Sequence, residues 1–149
     1  MSEHAELARK LFLEGYNCSQ AVFCAFCDVT GLDMDAAARM ASSFGGGLGR
    51  LREVCGAVSG AALALGILRG YSDPGDYDAK KAHYARVQEF AQRFREANGA
   101  IVCRELLGGV QAGGAPEARS DAFYQKRPCP NLVVSAAEIL DDMLILIST

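Results

Sequence analysis

Much that would point to a charged partner or a membrane is missing from this sequence. Positive charge is not in excess: 15 Lys and Arg stand against 18 Asp and Glu, a formal net charge of −3. That excludes the basic footprint of a nucleic-acid-binding surface and implies no strongly charged substrate. No long hydrophobic run is present. The longest apolar stretch, 57–68, is too short to span a bilayer and is interrupted by Ser59, Gly60 and Gly66. The opening Met1-Ser2-Glu3-His4-Ala5-Glu6 lacks the basic segment and apolar run of a secretory leader, so the expected compartment is the cytoplasm. Histidine is scarce. His4 lies near the terminus and His83 on the flank of a long helical segment, and both are expected to be structural or solvated rather than ligands. No Ser/His/Asp order, paired-carboxylate motif, strand-like alternation or internal repeat is found.

What is present is the composition of an ordinary globular chain, with 50% hydrophobic and 22% charged residues. At 149 residues it suits a single domain covering 1–149. Such a domain buries roughly 70% of its unfolded surface and needs no disulfide or metal merely to stay folded. Helical periodicity runs nearly throughout. Ser2 caps a first helix whose inner face carries Ala5, Ala8, Leu11 and Phe12. Asn17, with Gln20 three residues on, has capping-box spacing and opens a second helix that ends before Gly31. Asp33 or Asp35 starts a third, running to about Phe44.

A glycine run, Gly45-Gly46-Gly47-Leu48-Gly49, breaks the chain before a fourth helix over about 53–68. There Gly56, Gly60 and Ala64 form a small-residue stripe on which another helix can approach closely. Asp76 or Asp78 caps a fifth helix to Asn98, closed by Gly99, with an apolar face of Tyr77, Tyr84, Val87, Phe90, Ala91 and Phe94. A short helix at 103–107 follows, then a flexible loop at 111–116 and a weak turn near 121–124. A last helix runs from Cys129-Pro130 to about 147, with Leu132, Ala136, Ile139, Leu140, Met143 and Ile147 inward. Its apolar circumference implies deep burial or a homodimer contact, while Asp141 and Asp142 read as a solvated face. The fold class is all-α, a compact single-domain bundle of about five to seven helices.

Six cysteines are left to explain: Cys18, Cys24, Cys27, Cys55, Cys103 and Cys129. In a reducing compartment cysteines point to catalysis, redox cycling or metal binding more than to static disulfides. Cys18, Cys55, Cys103 and Cys129 fall at expected helix starts, where free N–H groups and the helix dipole stabilise a thiolate. Arg50 and Arg52 precede Cys55, while Arg104 adjoins Cys103 and Arg127 lies two residues before Cys129. By this reasoning Cys55 is the leading nucleophile, with Cys18 next. Cys24 and Cys27 form a CxxC inside the second helix, beyond its first turn, and are expected to be core residues. The glycine run follows a helix and lacks the P-loop lysine, so it reads as a connection rather than a phosphate cradle.

The segment Cys55-Gly56-Ala57-Val58-Ser59-Gly60 is a CGAxxG motif. With Asn17-Cys18-Ser19-Gln20-Ala21 upstream, and Cys103 and Cys129 downstream, the chain resembles the C_GCAxxG_C_C family over nearly its whole length. The family is named for redox activity, and the resemblance assigns its signature cysteines to Cys18, Cys55, Cys103 and Cys129. It implies no particular substrate.

Three functions remain open on the sequence. The first is a thiol–disulfide oxidoreductase acting on a small thiol, a disulfide or a redox partner, without a further cofactor. The second is a metal protein in which the same four cysteines ligate zinc or an iron–sulfur cluster. The third is a helical interaction domain with inert cysteines. The four thiols should in either of the first two cases converge on one pocket.

Overall fold

A computed structural model describes residues 1–120 and 127–148 of the chain. Among these residues there are eight α-helices, six of them of eight residues or more, and no strand. Helix α1 (Glu3–Leu13) begins at Ser2, whose hydroxyl accepts the Ala5 N–H at 3.1 Å. The expected inner face, Ala5, Ala8, Leu11 and Phe12, is the buried one. Helix α2 (Cys18–Ala25) carries the full capping box: Asn17 accepts from the Gln20 N–H at 2.9 Å, and Gln20 accepts from the Asn17 N–H at 3.0 Å. It stops sooner than expected. Phe26 leaves helical geometry, and Cys27 opens the separate short helix α3 (Cys27–Thr30). The CxxC therefore straddles a helix break instead of lying within one helix.

Asp33 caps α4 (Met34–Ala41), and a 3-10 turn (Ser42–Phe44) leads into the glycine run. Helix α5 (Gly56–Arg69) starts later than expected, because 53–55 are held extended by a bridge between Val54 and Val102. Helix α6 (Tyr77–Asn98) has the expected limits, with the Asp76 cap and left-handed Gly99. Short α7 (Cys103–Leu106) and long α8 (Cys129–Ser148) complete the chain. The expected turn near 121–124 and the side chain of Ile147 lie outside the described residues.

Helix α8 packs against α1, α2, α5 and α6, so it occupies the centre of the bundle. Leu132, Val133, Ala136, Ala137, Leu140 and Met143 are its buried residues, and Phe12, Phe23, Phe26, Phe90 and Phe94 fill the space around it. The apolar face expected for α6 holds only at Phe90 and Phe94; Tyr77 and Tyr84 are 70% and 50% exposed. At 22 residues α6 is about 33 Å long, against about 21 Å for the 14 residues of α5. Its first turns overhang that neighbour. Among the described residues, no helix is long and apolar enough to cross a membrane.

Asp141 is not part of a solvated face. Its carboxylate meets His4 Nδ1 at 2.7 Å, while His4 Nε2 meets Asp28 at 2.8 Å and the ring stacks on Phe26 at 4.1 Å. One imidazole thus ties α1 to the start of α3 and the middle of α8. Burial opposes its charge, but hydrogen bonds to Asp28 and Asp141 outweigh that and raise the His4 pKa above 6.5. A raised folded-state pKa stabilises the fold below the unfolded value, and the contribution is lost as pH rises through the folded value. Wild-type Tm should therefore fall between about pH 6 and 8 more steeply than the Tm of His4→Ala. Equal slopes in thermal melts would remove the clip.

Candidate functional site

The glycine run adopts a backbone that ordinary residues avoid. Gly46, Gly47, Leu48, Gly49 and Arg50 all have φ between 52° and 72°, and Arg52 follows at 63°. Left-handed geometry costs a non-glycine residue about 1–2 kcal/mol, so Leu48, Arg50 and Arg52 are held there by surrounding contacts. Backbone bonds supply them: Arg50 N–H donates to Gly45 O, Arg52 N–H to Gly46 O and Glu53 N–H to Gly47 O, at 2.9–3.2 Å. These N–H groups are consumed inside the loop. They are not left accessible to Cys55, and they do not form an anion cradle.

The loop wedges between Asn17 and Cys103. A Cβ at Gly45 would overlap the Asn17 side chain, and one at Gly47 would stand 2.7 Å from Cys103 Cβ. On the other side, α2 crosses α5 over the small-residue stripe. A Cβ at Gly60 would lie 2.5 Å from Ser19 O, and one at Gly56 would lie 3.1 Å from Cys18 Cβ. The glycines of the CGAxxG motif are thus what bring the N-terminus of α2 against that of α5. The Val54–Val102 bridge adds the third element, with Cys55 N–H donating to Ile101 O at 2.8 Å and Cys103 N–H to Glu53 O at 2.6 Å.

The result is convergence. Cys18, Cys55, Cys103 and Cys129 all line one small inner chamber of about 30 Å³, with Arg52 among its walls. Cys18, Cys103 and Cys129 are the first residues of α2, α7 and α8, and Cys55 is the cap of α5. Cys129 is shifted by one from the expected cap position, since Leu132 N–H bonds back to Pro128 O. A larger cavity of about 310 Å³ lies in front, and Cys18 and Cys129 border both spaces. Cys55 and Cys103 border only the inner one. Cys24 and Cys27 border neither; they are hydrogen-bonded to each other, and burial is the main cause that raises both, Cys24 to about 11.

Electrostatics separates the four. Burial pushes Cys55 up to about 12 despite the Ala57 and Val58 N–H groups facing it, which overturns the expectation of a lowered Cys55. It is 3% exposed, and the arginines expected beside it point elsewhere. Arg50 donates to Gly113 O at 2.8 Å and pairs with Glu117 at 3.2 Å. Arg52 reaches Cys103 Sγ at 3.7 Å. Arg104 is paired with Glu53 at 3.6 Å and stays exposed. Cys103 is raised by burial, which Arg52 only partly offsets.

Cys129 alone is lowered. Its thiolate accepts a hydrogen bond from the Cys18 thiol, which outweighs burial, and Arg127, Arg119 and Arg52 add attraction. Cys18 is raised, because it keeps the proton that it donates to Cys129 and because it is largely buried.

The loop at 111–116 is pinned rather than loose. Gly113 N–H donates to Arg50 O at 2.8 Å, and Arg52 donates to Gln111 O at 3.4 Å. Arg119, just beyond, lies over the Phe12 ring at 4.2 Å and donates to Tyr16 O at 3.0 Å. Glu117 takes both Arg50 and Arg127. Glu117 and Arg119 carry no local sequence signal; they sit in an irregular segment and reach the site only through the fold. Among the described residues, no three His, Cys, Asp or Glu side chains stand in an arrangement that would hold a metal ion. The four cysteines do not fit the zinc or iron–sulfur reading in this geometry.

The architecture is that of an all-α cysteine-cluster protein, with four thiols gathered by helix N-termini around one chamber. The chain belongs to the C_GCAxxG_C_C family, described as "Putative redox-active protein (C_GCAxxG_C_C)", whose family model matches residues 16–143. No curated protein and no solved structure matches the chain significantly.

Proposed function

We propose that the protein is a thiol–disulfide exchanger in which Cys129 attacks and Cys18 resolves. The observation that carries this reading is the placement of Cys18 and Cys129, the first residues of α2 and α8, together on the wall of the larger cavity, with Arg52, Arg119 and Arg127 lining the same space. In the first step the Cys129 thiolate forms a bond to one sulfur of a disulfide R–S–S–R. The S–S bond breaks and one R–S⁻ leaves with its electron pair. Cys18 then gives up its proton to the leaving thiolate and attacks the Cys129 sulfur. The Cys18–Cys129 disulfide forms and the second R–S⁻ departs, to be protonated by solvent. Two electrons have moved from the protein to the small disulfide, and an external dithiol closes the cycle. Cys55 and Cys103 remain thiols behind the reacting pair.

Reduced protein treated with bis(2-hydroxyethyl) disulfide should show a Cys18–Cys129 bridge by peptide mapping. The Cys18→Ser variant should instead accumulate a mixed disulfide on Cys129. A mixed disulfide confined to other cysteines would overturn the assignment. Stoichiometric zinc or iron in protein purified without air would overturn the exchange reading in favour of thiolate ligation.

A further inference from the structure

We propose that Arg50 is a specificity-determining residue of the exchange site: it latches the strap 110–117 as a wall of the 310 Å³ cavity, so that small disulfides reach Cys129 and disulfides borne on a folded protein do not. This deepens the exchange reading and rests on it, naming the substrate class of the same site.

Gly114, Pro116 and Glu117 of the strap line the cavity together with Cys18 and Cys129. The strap has no anchor in the core, since none of residues 104–120 is buried. At its start Gly108 and Gly109 are left-handed, with φ of 75° and 88°, and put no side chain against a neighbour. A segment with so few buried apolar contacts is held or released by its hydrogen bonds.

Arg50 makes three of them. Its carbonyl accepts the Gly113 N–H at 2.8 Å, its Nη1 donates to Gly113 O at 2.8 Å, and its Nη2 pairs with Glu117 at 3.2 Å. Backbone and side chain of one residue thus grip both polar groups of Gly113. The approach is close: a Cβ at Gly114 would stand 3.1 Å from Arg50 Nη1. Arg50 is itself held at a φ of 68°, a costly conformation for a residue with a side chain, and its carbonyl meets the strap from there. Arg52 adds a longer bond, to Gln111 O at 3.4 Å.

With the strap latched, the space in front of Cys129 lies at the lower end of small-molecule pockets, about 300–1,000 Å³. A short disulfide fits within it. A folded domain cannot follow its own sulfur in, because the attacked sulfur must come into bonding contact with Cys129. Releasing the strap takes away one wall and lifts that restriction.

The test uses two neutral disulfides with the same hydroxyethyl end. One is bis(2-hydroxyethyl) disulfide; the other joins 2-mercaptoethanol to a single exposed cysteine engineered on folded ubiquitin. Loss of the Cys129 thiol is followed by peptide mapping, and each rate is divided by the rate of the same disulfide with dithiothreitol, which removes intrinsic reactivity. In the wild type the normalised small-disulfide rate should exceed the protein-borne one by about tenfold or more. Arg50→Ala, which loses the two side-chain contacts, should narrow that ratio by about threefold or more. Alkylation of Cys55 should stay unchanged, since unlatching opens only the front space whereas general loosening would expose the inner chamber too. Glu117→Gln, at an exposed position, should narrow the ratio in the same direction and decides alone if Arg50→Ala does not fold. Equal normalised rates in the wild type, a ratio unmoved in the folded variant, or an equal acceleration at Cys55 would overturn the size filter and leave exchange standing. Failure of both disulfides to react at Cys129 would overturn the exchange reading, and the filter with it.

Discussion

At pH 7, fully reduced protein given limiting iodoacetamide should be alkylated first at Cys129, ahead of Cys55 by about thirtyfold or more in rate. Cys129 lies below the ordinary 9.0 and Cys55 at about 12. At least three pKa units separate them, which is about a thousandfold in thiolate fraction at neutral pH. The more basic thiolate is the better nucleophile, and a Brønsted slope near one half returns about half of that advantage on a logarithmic scale. Access works in the same direction, since Cys129 borders the larger cavity and Cys55 does not.

The Cys129 rate should rise with pH and level off above its lowered pKa. Cys18→Ala, which removes the donor that contributes most to the lowering, should move that plateau to higher pH. Cys129→Ser should abolish the fast phase. Timed labelling with peptide mapping reads all three, and a fast phase that survives in Cys129→Ser would remove Cys129 from the attacking role.

The second large effect is on stability. Gly60→Leu should cost about 3 kcal/mol or more, because even its Cβ would stand 2.5 Å from Ser19 O, a backbone atom that cannot turn aside. For a chain of this size that is a Tm loss of about 6–12 °C. The same helix contains its own control. Gly66 has nothing within 4 Å of a built Cβ, so Gly66→Ala should raise stability by about 0.5–1 kcal/mol through the loss of glycine's backbone freedom. Opposite signs at two glycines of one helix are required by the close crossing with α2. Equal effects in thermal melts would mean the crossing is not there. Gly60→Leu should also slow Cys129 labelling, since prising α2 from α5 draws Cys18 away from its partner.

Most helix limits were legible because they are set by local chemistry. The Ser2, Asn17, Asp33 and Asp76 caps and the Gly31 and Gly99 stops each satisfy backbone groups within a few residues of themselves. The misreadings have a common origin. The late start of α5 follows from the Val54–Val102 bridge, whose partners are 48 residues apart in sequence. The exposed tyrosines of α6 follow from its length relative to α5. Asp141 became a hydrogen-bond partner only because α1 brings His4 across to it. None of these can be seen within one turn of the residue concerned.

The candidate site divides along the same line. By itself the sequence determined that the protein is all-α, that four cysteines open helices, and that small residues at 56 and 60 invite a close helix crossing, since capping, periodicity and side-chain size act over a few residues. Which thiol most readily gives up its proton depends on tertiary structure. Desolvation and charge depend on every group within several ångströms, whatever its place in the chain. Burial raises Cys55 to about 12 and leaves it 3% exposed. The arginines from the left-handed turn and from the distant loop, together with the Cys18 thiol, stabilise the Cys129 thiolate, which had no stronger claim in the sequence than its neighbours.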